Sequence, residues 1–156
     1  MNVAFIPVRG GSKSIPLKNI KPLCGKPLVY WTIKAACDCK RIDKVYVATD
    51  SKQIRDVVEQ LGDKYGLESF VKVEVIERSK ESASDTATTE LAMLEFAERY
   101  NFDNIVLIQA TSPLLQGSDL DRGFDVFEKD DTDSVPSKSK NTIWSRPTGG
   151  ISLSSF

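Results

Sequence analysis

Apolar residues along this chain fall into short runs and helical stripes that alternate with polar breaks. Residues 2–8 (NVAFIPV) form a continuous apolar run that stops at Arg9-Gly10-Gly11-Ser12, the pattern of a buried strand entering a loop. Pro16, Pro22, Gly25 and Pro27 keep the next stretch from forming a long helix. Pro27 suits a first helical turn, and Leu28, Trp31, Thr32 and Ala35 continue that helix at helical spacing. Residues 44–49 (KVYVAT) predict a second strand, ending on Asp50-Ser51, a good N-cap pair. Ile54, Val57, Val58 and Leu61 follow the i, i+3, i+4, i+7 rule, with Gly62 expected to close the helix. Val71, Val73 and Val75 alternate as a third strand would. After a polar loop at 78–84, a helix is predicted from Asp85 or Thr86 to Tyr100, carrying Leu91, Leu94 and Phe96. Residues 105–108 read as a fourth strand, broken by Gln109-Ala110-Thr111-Ser112-Pro113. Ser118 or Asp119 is expected to cap a last helix carrying Leu120, Phe124 and Phe127.

Strands and helices thus alternate four times, which implies a Rossmann-like three-layer α/β/α fold with a mostly parallel sheet. The acidic cluster at 128–133 (EKDDTD) reads as a solvated helix end. Beyond it the pattern degrades, with Pro136, a polar 137–141 stretch and Gly149-Gly150. We therefore expect one domain over 1–134 and a tail over 135–156 that holds at most one weak strand and no separate domain. The length of 156 residues fits a single domain with a sizeable core.

Composition narrows the classes. Apolar residues make up 40% and charged residues 28%, and 21 basic against 22 acidic residues give a net charge of −1. That balance supplies no global field for nucleic acid or an anionic membrane, so neither is an expected partner. No apolar run approaches the roughly 18 residues of a membrane-spanning helix. The start lacks a basic region followed by a long apolar one, so no signal peptide is expected and a cytoplasmic location is the simplest expectation. Three cysteines argue against a disulfide framework, and Cys37-x-Cys39 lacks the four ligands of a zinc site. With no histidine, Ser-His-Asp triads, Cys-His dyads and His-ligated metals are excluded. Trp31 and Trp144 read as packing residues rather than base-stacking platforms.

Ligands of open α/β sheets bind beyond the carboxyl ends of the strands. Strand one is followed by Arg9, Gly10, Gly11, Ser12 and Lys13, with Lys18 and Asn19 beyond; the later strands are followed by Thr49-Asp50-Ser51, by Arg78, and by Gln109, Thr111 and Ser112. The first loop is cationic and glycine-rich, the chemistry of a phosphate site: glycines admit backbone amides to an anion, and Arg9, Lys13 and Lys18 add charge. A tight turn with exposed basic residues is the structural alternative. Neither a Walker A motif nor Gly-x-Gly-x-x-Gly is present. The Ser84-Asp85-Thr86-Ala87-Thr88-Thr89 stretch offers either plain helix capping or a polar pocket beside a nucleotide, and Gln109-x-Thr111-Ser112-Pro113 either a strand-end turn or substrate hydrogen bonding.

The combination resembles the acylneuraminate cytidylyltransferases, or CMP-sialic acid synthetases. The resemblance is carried by residues 5–28 (FIPVRGGSKSIPLKNIKPLCGKPL), by 48–51 (ATDS), by the stretch from Arg78 to Thr89, and by 107–114 (LIQATSPL), in order over about 1–134. It implies a fold of the nucleotide-diphospho-sugar transferase type. It also implies a reaction in which a nine-carbon α-keto acid sugar attacks the α-phosphate of CTP, giving a CMP-sugar and pyrophosphate, normally with Mg²⁺. By resemblance, Arg9 and Lys18 are the catalytic cations on the CTP phosphates, with Gly10, Gly11 and Ser12 forming the loop around them. Asn19 matches a ribose-binding asparagine, Arg78 the arginine at the cytosine edge, and Thr89 a hydroxyl near the base. Gln109 matches the glutamine that meets the sugar, while Asp85 is expected to organise the loop and helix cap.

Members of the family are usually about half as long again. The part not matched here normally carries a dimerisation segment, more of the sugar pocket and the aspartates that bind Mg²⁺, so no metal ligand is assigned and a homodimer is left open. The tail is expected to be truncated or divergent. A catalytically silent nucleotide-binding domain, or a remnant of such an enzyme, stands as the alternative to an active transferase.

Overall fold

In the computed structural model, which describes residues 1–11, 14–129, 134–136 and 142–146, the predicted alternation builds one central sheet. Ser12, Lys13, residues 130–133 of the acidic cluster and most of the tail lie outside the described residues. Strand β1 (Asn2–Pro7) is followed by a 3₁₀ turn at Lys18–Ile20 and a small hairpin, β2 (Pro22–Leu23) and β3 (Lys26–Pro27). Helix α1 (Leu28–Asp38) leads to β4 (Lys44–Thr49), then α2 (Lys52–Glu59) and α3 (Leu61–Tyr65). Next come β5 (Val73–Glu77), α4 (Thr89–Arg99), β6 (Asn104–Leu107), α5 (Gly117–Lys129), β7 (Ser134–Pro136) and β8 (Thr142–Ser145). The sheet order is β5-β4-β1-β6-β8-β7. β5, β4, β1 and β6 run parallel; β8 pairs antiparallel to β6, and β7 to β8.

Alternation along the strands sorts two cores. Ala4, Ile6, Val45, Val47, Val106 and Ile108 face one layer, filled by Val29 and Ile33 of α1, Ile54 and Val58 of α2, and Leu120, Phe124 and Phe127 of α5. Val3, Phe5, Tyr46, Ala48, Ile105 and Leu107 face the other, filled by Ala92, Met93, Phe96 and Ala97 of α4 with Phe102. Residues two apart share a face of a strand, so one-residue register errors would invert both layers.

Several expected boundaries move, each for a local reason. Pro27 sits before the first turn of α1 rather than inside it, because it closes the β2–β3 hairpin across Cys24-Gly25, whose φ values of 51° and 78° make a two-residue turn. Gly62 does not close α2. It lies within α3, where a Cβ would stand 2.8 Å from the Phe70 ring, and Gly66 at φ 64° ends the helix instead. Val71 is 89% exposed in a 3₁₀ turn over Glu68–Lys72, so the third strand starts at Val73. Helix α4 begins at Thr89, capped by the Thr88 hydroxyl, not at Asp85 or Thr86. Ser51 caps α2 as expected, and Asp119 accepts from the Gln116 amide at the head of α5, the returning half of a capping box.

The stretch after α5 adds two short strands where the apolar pattern supports one at most. β8 is built on two apolar residues among polar ones: Ile143 enters the first layer and Trp144 packs on the second. Trp31 is likewise a packing residue, edge-on to Tyr30 and donating to the Leu23 carbonyl at 3.0 Å. Cys37 and Cys39 are buried, and burial pushes both thiols up to about 12, well away from metal-ligand or nucleophile chemistry.

Candidate active site

Chain direction decides where this sheet can hold a ligand. The chain runs outward from β1 to β4 and β5, then returns through α4 to β6 on the other side of β1. The connections leaving β1 and β6 therefore diverge, and a crevice opens at their carboxyl ends. A cavity of about 320 Å³ lies there, lined by Arg9, Gly11, Lys18, Asn19, Arg78, Thr89 and Gln109, with Ser84, Asp85, Ala87 and Thr111. Residues nominated from three separate segments of sequence thus meet in one place, while the fourth, Thr49-Asp50-Ser51, stays off the cavity wall. Gly10 stands just behind the wall, and Ser12 is outside the described residues.

The first loop is organised by its own neighbours before any ligand arrives. Val8 N–H donates to the Ala48 carbonyl at 2.8 Å, so Arg9 is the first residue to leave the sheet. Gly10 N–H donates to Asp50 Oδ1 at 2.9 Å. A Cβ on Gly10 would stand 2.8 Å from Ser51 Cβ, at the N-terminus of α2. Gly10 is thus required by close packing of the loop on that helix, and its amide is engaged by Asp50. A Cβ on Gly11 would meet nothing within 4 Å, and Gly11 lines the cavity. We expect Gly10→Ala to lower unfolding stability by about 1–3 kcal/mol through overpacking. Gly11→Ala should leave the denaturation midpoint unchanged; a urea titration of the two variants checks both.

Lys18 and Asn19 enter the cavity from a strained turn. Leu17 adopts a left-handed conformation, φ 50°, immediately before the Lys18–Ile20 3₁₀ turn, and is held there by packing against the first core layer. Asn19 Nδ2 reaches the Arg9 carbonyl at 3.5 Å, tying the two cationic stretches together. On the cavity wall, Arg9 Nη1 donates to Asp85 Oδ1 at 2.8 Å. Asp85 therefore does not cap a helix as expected. The later start of α4 leaves residues 84–88 in turns that can line the cavity wall.

Arg78 leaves β5 and turns back on its own loop. Its Nη2 donates to the Ser82 carbonyl and its Nε to Ser82 Oγ at 3.4 Å. Burial, with the like charge of Arg9, holds the guanidinium below its ordinary pKa, while Asp50 and Glu95 pull the other way. The group stays ionised, and burial takes its unfastened N–H groups partly out of water, which favours an acceptor-rich ligand. Behind it, Glu95 of α4 accepts from Ser82 Oγ at 2.7 Å, from Ser79 Oγ at 3.1 Å and from Ser79 N–H, and pairs with Arg99 at 2.9 Å. Burial would raise the Glu95 carboxyl, but the hydrogen bonds from Ser82 and Ser79 and the charge of Arg99 outweigh it and hold the pKa below 4.5. A carboxylate with a depressed folded pKa contributes stability above its ordinary value and loses it as pH falls through the folded one. The gap in melting temperature between the native chain and Glu95→Gln should therefore be constant near neutrality and shrink below about pH 4.5.

Sequence reasoning missed Glu95, Ser82 and the role of Asp50. Glu95 is a lone acid on a helix and Ser82 one serine in a polar loop, so neither carries a motif; only the fold brings them to Arg78. Among the described residues no group of three or more His, Cys, Asp or Glu is placed to hold a metal ion. Asp85 is the carboxylate on the cavity wall, and it is paired with Arg9, so the described residues do not by themselves build a Mg²⁺ site. No helix among them is long and apolar enough to cross a membrane.

This fold has known counterparts. The chain aligns with a CMP:2-keto-3-deoxy-manno-octonic acid synthetase complexed with CTP, at a TM-score of 0.70 and 21% identity over 84% of this chain and 48% of that one. It also aligns with a cytidylyltransferase from Leptospira borgpetersenii, at a TM-score of 0.70 and 21% identity over 92% of this chain and 60% of that one. Those likenesses establish the shared nucleotidyltransferase fold. In sequence the chain is 39% identical over 133 residues to N-acylneuraminate cytidylyltransferase A of Danio rerio, covering 85% of this chain and 29% of the relative. It is 33% identical over 142 residues to the N-acylneuraminate cytidylyltransferase of Streptococcus agalactiae serotype III, covering 88% and 32%. The chain thus spans about a third of the length of these curated relatives. The family resemblance carried by the strand-end motifs agrees with those names. The sequence model of the cytidylyltransferases matches residues 3–146, from β1 through β8 and with every described wall of the cavity inside it, and the chain belongs to that family.

Proposed function

We propose that the cavity binds CTP and that the chain transfers the cytidylyl group to a nine-carbon α-keto acid sugar of the sialic acid type. The single observation that carries this reading is the convergence of Arg9, Lys18 and Arg78 on one cavity at the switch point of the sheet. The names of the similar relatives support the sugar class.

The chemistry asks little of a protein beyond positioning and charge. The anomeric hydroxyl oxygen forms a bond to the α-phosphorus, the bond from that phosphorus to the β-phosphate oxygen breaks, pyrophosphate leaves, and the hydroxyl proton passes to solvent. Negative charge builds on the phosphate oxygens, so Arg9 and Lys18 act as the catalytic cations that neutralise it. Gly11 lets the first loop lie close to the phosphates, Asn19 reaches the ribose, and Gln109 at the end of β6 meets the sugar. Magnesium, where used, is expected to arrive on the nucleotide, because Mg²⁺ is commonly held by phosphates with one or two carboxylates.

Arg78 and Thr89 read the base. A guanidinium carries donors and no acceptor. The O2 and N3 of cytosine are both acceptors, whereas uracil presents an N3–H donor at the second position. Arg78 therefore favours cytosine over uracil by geometry of donors alone.

The test is pyrophosphate release with CTP, Mg²⁺ and a panel of nine-carbon keto acid sugars, alongside calorimetric titration of CTP, UTP and ATP. Release with one sugar, and CTP bound in preference to the others, is the expected result. CTP binding without release would leave a nucleotide-binding domain that does not act alone. Equal binding of all three nucleotides would overturn the reading.

A further inference from the structure

We propose that Glu95, which stands outside the cavity, is the positioning residue that orients Arg78 for recognition of the base. This rests on the reading of the cavity as a nucleotide site. Glu95 takes the hydroxyl hydrogens of Ser82 (2.7 Å) and Ser79 (3.1 Å), and Ser79 N–H lies 3.3 Å from its Oε1. With its hydrogen turned toward Glu95, the Ser82 hydroxyl presents a lone pair to Arg78 Nε, while the Ser82 carbonyl accepts from Nη2. Ser82 N–H in turn donates to Ser79 Oγ at 3.0 Å, closing the loop on itself.

The consequence is directional. The Nε and Nη2 edge of the guanidinium is fastened to the loop, and Nη1 with the second Nη2 hydrogen remains for the cavity that Arg78 lines. A carboxylate here is chemically specific. Both serine hydroxyls use Oε2, while Ser79 N–H and Arg99 use Oε1. Glutamine offers one acceptor and one NH₂ donor, so either Ser79 N–H and Arg99 meet a donor or both hydroxyls lose their acceptor, and in either case the loop that fastens Arg78 Nε is loosened. Ser82 is 1% exposed, so water is a poor substitute for the lost bond. Arg99 pairs with the outer side of Glu95 and keeps the carboxylate charged. Glu95 itself has no contact with the cavity, and its effect on a ligand must pass through Arg78.

Two readouts test this. The first is calorimetry with CTP and UTP on the native chain, Glu95→Gln, Arg78→Ala and the double variant. Glu95→Gln should weaken CTP about tenfold, the loss of one well-aligned charged hydrogen bond to the ligand, while UTP changes by less than about threefold. In the Arg78→Ala background, Glu95→Gln should have no further effect on CTP. The second needs no ligand: the Nε–H signal of Arg78 in ¹H–¹⁵N spectra, assigned by its loss in Arg78→Lys. It should be sharp and shifted in the native chain and move to the free-arginine position in Glu95→Gln, with the backbone spectrum otherwise retained. Equal loss of CTP and UTP affinity, an additive double variant, or an unmoved Arg78 Nε signal would each overturn the proposal. Failure of the native chain to bind CTP would overturn the nucleotide reading instead, and the Nε signal would still decide whether Glu95 orients Arg78.

Discussion

Arg9→Ala should lower CTP affinity more than Lys18→Ala, and both should lower it by about ten- to a hundredfold, the range for charge-assisted hydrogen bonds to phosphate. The two cations differ in what they leave behind. Lys18 brings a point charge from the strained turn after Leu17, and its removal subtracts attraction only. Arg9 compensates Asp85 on the same wall, 2.8 Å away, so Arg9→Ala also turns that carboxylate toward incoming phosphates without Arg9 beside it. Arginine can grip phosphate oxygens in bidentate fashion, so Arg9→Lys should recover only part of the loss. Stability should hardly change, because an ion pair as exposed as Arg9–Asp85 contributes about 0–1 kcal/mol. Calorimetric titration at two salt concentrations, paired with thermal melts, separates the effects. Affinity that falls with salt in the native chain and falls less steeply in the variants supports phosphate contact. Equal affinities in native and variant chains would remove both residues from the phosphate site.

How much of this was legible beforehand depends on the kind of signal each part leaves. The parallel strands were readable because their apolar runs are continuous and end at polar punctuation, as in β1 and β6. The cavity was readable at its walls because chain direction sends the carboxyl ends of the four parallel strands to one edge, which is why Arg9, Lys18, Arg78 and Gln109 meet. Helix starts were less readable. Asp85, Thr86 and Thr88 are all good caps by residue type, and only Thr88 is placed to accept from the Leu91 amide. Gly62 looked like a stop signal because glycine is one by default, yet it is there to admit the Phe70 ring. Gly10 reads as a phosphate-loop glycine in sequence and as a packing glycine in space. β8 escaped because two apolar residues carry no period, and its place is set by pairing with β6. Glu95 escaped for the same reason in polar form: its meaning lies in Ser79 and Ser82, more than ten residues away in the chain.

Phe96→Ala should cost about 3–5 kcal/mol of unfolding free energy, a large part of the 5–15 kcal/mol that a domain commonly has. Phe96 is the hub of the second layer. Its ring lies 4.9 Å from Phe5 of β1, 4.9 Å from Tyr46 of β4, 4.8 Å from Tyr100 and 5.7 Å from Phe102, centroid to centroid. Removing it opens a void that those rings cannot fill without leaving their own contacts, and each aromatic pair lost adds about 0.5–1.5 kcal/mol beyond the buried area. Phe124→Ala, at the equally buried hub of α5 in the first layer, should cost a similar amount. The two should part in the binding assay. α4 covers its face of the sheet as the one helix in the second layer among the described residues, and it carries Glu95 beside Phe96 and Thr89 at its start. Any settling of α4 into the void displaces the carboxylate that fastens the Arg78 loop. Folded Phe96→Ala should thus bind CTP more weakly than folded Phe124→Ala, at urea concentrations where both remain native. Equal CTP affinities in the two variants would mean that α4 keeps its seat without Phe96, and that the second layer supports the sheet without setting the position of Arg78.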